Sequence, residues 1–283
     1  MHDQTSRGPM QPSFLKIETY HADYLAQAGT AISRLRDNDI GAIILRDVYP
    51  KQSLAKLPAL LAENAPDFIT TTFPAAFCAY FYGVNLNLAE RDLAPYFAAE
   101  PAFREKLAAL DFGGAPAQDR ICSLLSQLDQ DRPYGAAPGP NPGEHHFFTT
   151  LRAHLTGGYI PAHFDNEVVL RPTYKHIAAV CEPDIYSFVL CIDQAEAGGA
   201  LDVYNITSKE AAADFRNQDG AGKKKGLSDA EHVSIWLEPG EMVILHSSRY
   251  LHGVSRVQGD RTRWSMCSFM ALARDGTQAY CWG

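Results

Sequence analysis

Cysteine is sparse and unpatterned in this 283-residue chain: there are six, Cys78, Cys122, Cys181, Cys191, Cys267 and Cys281, with no CxxC pair. That scatter excludes a disulfide framework and a zinc knuckle, and leaves reduced thiols filling core positions. Positive charge is also in deficit. Lys and Arg number 25 against 33 Asp and Glu, a net charge of −8, so no broad basic field draws the chain onto phosphate backbones or anionic lipid. Nucleic acid and membrane are set aside as partners. No apolar run approaches the roughly 20 residues of a membrane-spanning helix. The opening MHDQTSRGPMQPSF lacks the charged-then-apolar plan of a signal peptide, and the expected location is the cytoplasm.

What is present is enough apolar surface for a substantial core: hydrophobic residues make up 46% and charged residues 20%, which excludes a disordered or fibrous chain. Residues 1–12 are polar and read as a frayed terminus, with a single domain over 13–283. Apolar positions recur at mixed helical spacing from Phe14 to Arg36, and Gly41 to Leu45 reads as a short buried strand. From Ser53 to Leu128, Ala, Leu and Phe are punctuated by Pro58, Pro66, Pro74, Pro95, Pro101 and Pro116, the pattern of short helices between turns. The expectation is a mostly helical layer over 13–133. Tyr134 to Gly143 is so rich in Pro and Gly that a linker or long loop is expected.

The texture changes at Phe147. FFTTLRAHL, EVVLRPTY, YSFVLCI, ALDVYNI, HVSIWLE, EMVILHS and RWSMCSFMALA are β-type runs between turn signals, which predicts a jelly roll or barrel core over 147–283. A polar, Gly- and Lys-rich insert over 208–229 reads as a surface loop or lid.

The chemistry-bearing constellation is His163-Phe164-Asp165, with His252 far downstream in RYLHGVSRV. In an extended segment residues i and i+2 point the same way, so His163 and Asp165 can reach one ion. A second histidine from a facing strand completes a two-His, one-carboxylate facial set, the donor set of non-haem Fe(II) sites with open positions. Spacing alone is weak, because the chain has 10 histidines and repeats the pattern at His21-Ala22-Asp23. His21 is set aside because its segment reads as charged and helical. Arg263, across a Gly259-Asp260 turn from His252, offers a bidentate anchor for the distal carboxylate of an oxo-acid cosubstrate. His246 also lies near His252 and reads as a hydrogen-bonded neighbour. His145, His146, His154, His176 and His232 read as structural or surface histidines.

These residues resemble the Fe(II)/2-oxoglutarate-dependent oxygenases: HFD, a distal His, then Arg-x-Ser on the last core strand. The resemblance extends along nearly the whole chain to the free-standing subgroup that contains hydroxylases of N-substituted L-amino acids and the carrier-independent alkaloid halogenases. It is carried by GAIILRDVYP (41–50), EAGGALDVY (196–204), the Pro239-Gly240 turn, RYLHGVSRVQGDRTRW (249–264) and the ending AYCWG. It implies a double-stranded β-helix, mainly β with N-terminal helices and cupin-like. It also implies Fe(II), 2-oxoglutarate and O2, with His163, Asp165 and His252 as iron ligands and Arg263 and Ser265 as the cosubstrate's partners. The halogenases of that subgroup look like HxG, which opens a place for halide, and this chain keeps Asp165.

By the same resemblance Arg171, expected on the strand leaving the metal site, and Arg91, ahead of an aromatic helix, look like the arginines that hold a substrate's carboxylates. The implied partner is a small carboxylated molecule, an N-substituted L-amino acid, and the implied reaction is hydroxylation of an unactivated C–H bond. Two other readings stand beside it: an alkaloid or other natural-product intermediate, hydroxylated or desaturated, and a non-catalytic cupin-like metal-binding module. A structural metal has no need of Arg263, which separates the last from the others.

Overall fold

The structure is a computed structural model that describes residues 14–64, 67–166, 171–211, 227 and 230–283. The segment 1–12, and the lid expected over 208–229 apart from 208–211 and 227, lie outside the described residues. In chain order the elements are β1 (Ile17–His21), α1 (Ala31–Arg36), β2 (Ala42–Arg46), α2 (Lys51–Leu54), α3 (Leu57–Ala62), β3 (Thr70–Thr72), β4 (Ala79–Tyr82), α4 (Ala94–Ala109), α5 (Ala117–Leu128) and β5 (Tyr134–Ala136). There follow β6 (Thr150–His154), β7 (Ile160–His163), α6 (Lys175–Val180), β8 (Tyr186–Asp193), β9 (Leu201–Thr207), β10 (His232–Ile235), β11 (Met242–Leu245), β12 (Tyr250–Val254), β13 (Arg263–Leu272) and β14 (Ala279–Trp282).

Two sheets result. A ten-stranded sheet runs β1-β2-β11-β8-β13-β6-β4-β3, with β14 attached to β13 and β5 to β14, and a four-stranded sheet runs β10-β9-β12-β7. Together they form the double-stranded β-helix, a jelly roll of the cupin type.

Alternation along the central strands divides the interior in two. On β8, Tyr186, Phe188, Leu190 and Ile192 join the core beneath the helices, while Val189 and Cys191 face the smaller sheet and meet Leu201, Val203 and Ile235. A strand covered on both faces needs apolar residues at nearly every position, and β13 is buried along nine of its ten residues. α5 supplies the matching helical stripe, burying Ile121, Leu124, Leu125 and Leu128, the 3.6-residue repeat of a helix seated on one face.

The N-terminal region is less helical than its spacing predicts. Residues 17–21 form β1, parallel to β2, and the helix is confined to 31–36. Ile17 and Thr19 suit a strand, and β1 is further tied by Glu18, which accepts two hydrogen bonds from Arg34 at 2.7 and 2.6 Å. The β3–β4 hairpin also comes from this region and joins the large sheet through β6. Pro101 lies inside α4; the lost hydrogen bond is outweighed by burial of Tyr96, Phe97, Phe103 and Leu107 on that helix. The expected linker begins as β5, parallel to β14.

Buried histidines give the fold an acid limit. Burial pushes His146 down to about 3, and burial, opposed by Asp184, puts His246 at about 4. Both then stay neutral in the folded protein while the unfolded chain takes up their protons below about pH 6.5. Stability is expected to fall as pH drops from 6.5 towards 4, by roughly 1.4 kcal/mol per histidine per pH unit. Urea midpoints at pH 7.5, 6, 5 and 4.5 measure this, and a flat series would contradict it.

Candidate metal centre and its cavity

β7 and β12 are antiparallel neighbours in the small sheet, and His163 and His252 are direct register partners. The pairing sets the imidazoles side by side, ring centroids 4.5 Å apart. Each ring is held through Nδ1: His163 to the Pro161 carbonyl at 2.8 Å and His252 to the Tyr250 carbonyl at 2.9 Å. A carbonyl accepts only from N–H, so Nδ1 carries the proton and both Nε2 lone pairs are left for a metal.

Asp165 lies past the end of β7, on a turn whose backbone N–H donates to the Ser247 carbonyl at 3.2 Å. It is this turn, rather than strand alternation, that brings the carboxylate back towards the histidines. Oδ1 stands 3.3 Å from His163 Nε2 and Oδ2 3.7 Å from His252 Nε2. Asp165 is 1% exposed, yet Oδ2 has no hydrogen-bond partner. The three ligand atoms lie within 4.8 Å of one another, the one such group among the described residues.

Burial raises the Asp165 carboxyl, but His252 and His163 outweigh it and hold the group at about 2. Burial takes His252 down to about 4. The donors are therefore an anionic carboxylate and a neutral imidazole at neutral pH, and a buried carboxylate oxygen without a partner is costly unless a cation meets it. The set fits a divalent iron ion of the facial-triad kind.

A cavity of about 400 Å³ opens from the three ligands between the sheets. On its far wall Arg263, the first residue of β13, is 4% exposed. Its Nη1 donates to Ser265 Oγ at 3.1 Å, its Nε has no partner, and no carboxylate forms an ion pair with it among the described residues. A buried guanidinium with free donors calls for an anion. Gly199 makes room for it: a Cβ there would sit 2.8 Å from Arg263 Cδ, and the positive φ of +71° suits only glycine well.

The other expected site residues fall differently. Ser265 is fully buried and steadies Arg263 rather than lining the cavity. Arg171 lines the cavity but is on no strand: Pro172 follows it, and it precedes the 3-10 turn Pro172–Tyr174, because proline cannot donate to a ladder. Residues 167–170 of that expected strand are outside the described residues. Arg171 donates to the Asn87 carbonyl at 2.8 Å. Arg91 is exposed and off the cavity wall. His246 packs at a tilt against Tyr186, centroids 4.4 Å apart, and is not on the cavity wall. His21, at the end of β1 and not on a helix, reaches Asp47 at 2.8 Å on the surface.

Arg152 and His154 on β6 also line the cavity. The signal for them is in FFTTLRAHL, where the alternation that packs Leu151 and Ala153 into the core must turn Arg152 and His154 to the other face.

A double-stranded β-helix with two histidines and an aspartate facing a buried arginine is the arrangement of the Fe(II)- and 2-oxoglutarate-dependent oxygenases. Within that class the chain belongs to the family of the carrier-protein-independent halogenase WelO5, whose model matches residues 13–283. Among solved structures, the N-substituted L-amino acid dioxygenase of Burkholderia ambifaria AMMD in complex with alpha-KG is similar in fold. It is 16% identical with a TM-score of 0.55, over 88% of this chain and 90% of that one. Another structure of that dioxygenase gives 16% identity and a TM-score of 0.53, over 89% and 91%. No curated protein matches the sequence.

Proposed function

We propose that the protein hydroxylates an unactivated C–H bond of a small carboxylated molecule, an N-substituted L-amino acid, using Fe(II), 2-oxoglutarate and O2. The observation that carries this reading is Asp165. Its carboxylate stands between the two histidines, in the place that the family's halogenases leave for halide. Bound Fe(II) and 2-oxoglutarate supply the oxidant from dioxygen, with one oxygen atom leaving in succinate as CO2 is lost.

The chain's own part is to hold and to exclude. His163, Asp165 and His252 hold the ion from the small sheet and leave the cavity side free. Arg263, steadied by Ser265, pairs with the far carboxylate of 2-oxoglutarate and so fixes its orientation. The apolar walls keep water from competing for the oxidant. A metal-binding module without turnover leaves Arg263 unexplained. A natural-product intermediate as substrate, hydroxylated or desaturated, is the second reading. It is favoured by the aromatic residues Phe73, Phe77 and Phe81 on the cavity wall and by the family itself.

A screen for succinate release from the iron-loaded protein, with N-acyl L-amino acids and indole alkaloids in separate sets, tests the proposal. Succinate with hydroxylated amino acid supports it, whereas turnover confined to alkaloids favours the second reading. Arg171 is exposed and held by one carbonyl, so its contribution is expected to be modest. Arg171→Leu should raise the KM for a carboxylated substrate by about fivefold to tenfold, roughly 1 kcal/mol, with the KM for 2-oxoglutarate unchanged. Equal shifts in both would remove it from substrate binding.

A further inference from the structure

β6 turns two polar side chains into the cavity that the metal centre and the cosubstrate anchor leave unused. We propose that Arg152 is the carboxylate anchor for the substrate in this cavity, and that the aromatic residues around it receive an apolar body. The substrate class is then an amphipathic carboxylate, and the proposal rests on the oxygenase reading above.

The guanidinium is held by its faces and by one edge. Nε donates to Thr150 Oγ1 at 3.1 Å, and the guanidinium carbon stands 4.8 Å from the Phe81 ring centroid and 5.9 Å from that of Phe269. Stacking leaves the Nη fork free for a carboxylate. Among the described residues that fork has no hydrogen bond and no carboxylate forms an ion pair with Arg152.

His154, two residues on, is 1% exposed, and neither ring nitrogen has a partner. Burial, with Arg263 and Arg152 nearby, holds the imidazole neutral, so it offers one donor and one acceptor into the same cavity. Buried polar groups are rarely left bare. Two unfilled nitrogens beside an unpaired guanidinium mark a place for polar ligand atoms.

Exposure and partners, rather than distance, distinguish this cation from Arg263. Arg263, opposite His154 in the β6–β13 register, and Arg152, opposite Ser265, are diagonal neighbours; Arg263 is 4% exposed and packs against Gly199. Arg152 is half-buried and lies on Phe81, whose ring is 4.2 Å from that of Phe73. Phe77 and the 46% exposed Leu88 continue that wall to the surface. One distal arginine suffices for 2-oxoglutarate, and the more exposed cation is left for what enters after it.

The test is calorimetry on the Fe(II)-loaded protein with 2-oxoglutarate under nitrogen, titrating 3-phenylpropionate and N-acetyl-L-phenylalanine against their amides. Wild type is expected to bind each acid about tenfold to hundredfold more tightly than its amide. Arg152→Met should erase that preference and Arg152→Lys restore part of it, with 2-oxoglutarate affinity unchanged in both. The proposal is overturned by an acid preference that survives in Arg152→Met, by its absence from wild type, or by a loss of 2-oxoglutarate affinity instead, which would assign Arg152 to the cosubstrate. Melting temperatures verify folding, and the lysine variant carries the comparison if the methionine variant does not fold. A wild type that binds no 2-oxoglutarate at all brings down the oxygenase reading itself, an outcome distinct from the other three.

Discussion

Asp165→Ala is expected to abolish both iron loading and succinate release while leaving the melting temperature of the metal-free protein nearly unchanged. Loss of an outer partner of a metal ligand already costs about 10- to 100-fold in affinity or activity, and Asp165 supplies the only anionic donor of the set. The fold has little to lose. The carboxylate touches the two histidines, the link to Ser247 runs through the backbone and survives the substitution, and an open catalytic site contributes less to folding than a closed structural one. Metal content after dialysis against Fe(II), the succinate assay and a melting curve on one preparation settle the point. Full iron content with full turnover would remove Asp165 from the ligand set.

Arg263→Met should show the opposite pairing of effects. Breaking a buried charge pair costs about 3–5 kcal/mol, which corresponds to a loss of 2-oxoglutarate affinity of roughly a hundredfold to several thousandfold. Yet without cosubstrate the wild-type guanidinium is buried with no counter-charge, so the variant is expected to melt at the same temperature or higher. A structural arginine predicts a lower melting temperature and unaltered 2-oxoglutarate binding. Calorimetry with 2-oxoglutarate on the iron-loaded protein, beside melting curves with and without it, distinguishes the two.

The metal triad is legible in the sequence because His163 and Asp165 are two residues apart and His252 stands on a β-type segment that can pair with that of His163, although the turn after β7, and not strand alternation, brings Asp165 round. The long apolar strands, such as Tyr186–Asp193 and Arg263–Leu272, are legible too, as β-type runs. β1, β3 and β5 are not. They are three to five residues long and owe their conformation to partners remote in sequence, so local spacing around them favours helix or loop. Arg171 is placed on a strand by its Val-rich approach, and Pro172 overrules that. Arg91 stands in a stretch of alternating charge that says nothing about distance from the cavity. Arg152 and His154 look like ordinary strand residues until the occupants of the other face, Leu151 and Ala153, are known.

The direct pairing of His163 with His252 couples the metal centre to the order of folding. The two strands are separated in sequence by β8 to β11, and β12 must slot between β9 and β7, which closes a long chain loop before any contact rewards it. A slip of one residue turns His252 to the opposite face. The full ligand set therefore exists only once β12 has paired with β7; before that, His163 and Asp165 stand without their third partner. The same arrangement frees the intervening chain to change. Insertions between the two strands alter what surrounds the centre without moving its ligands, so specificity can diverge while the chemistry is inherited intact.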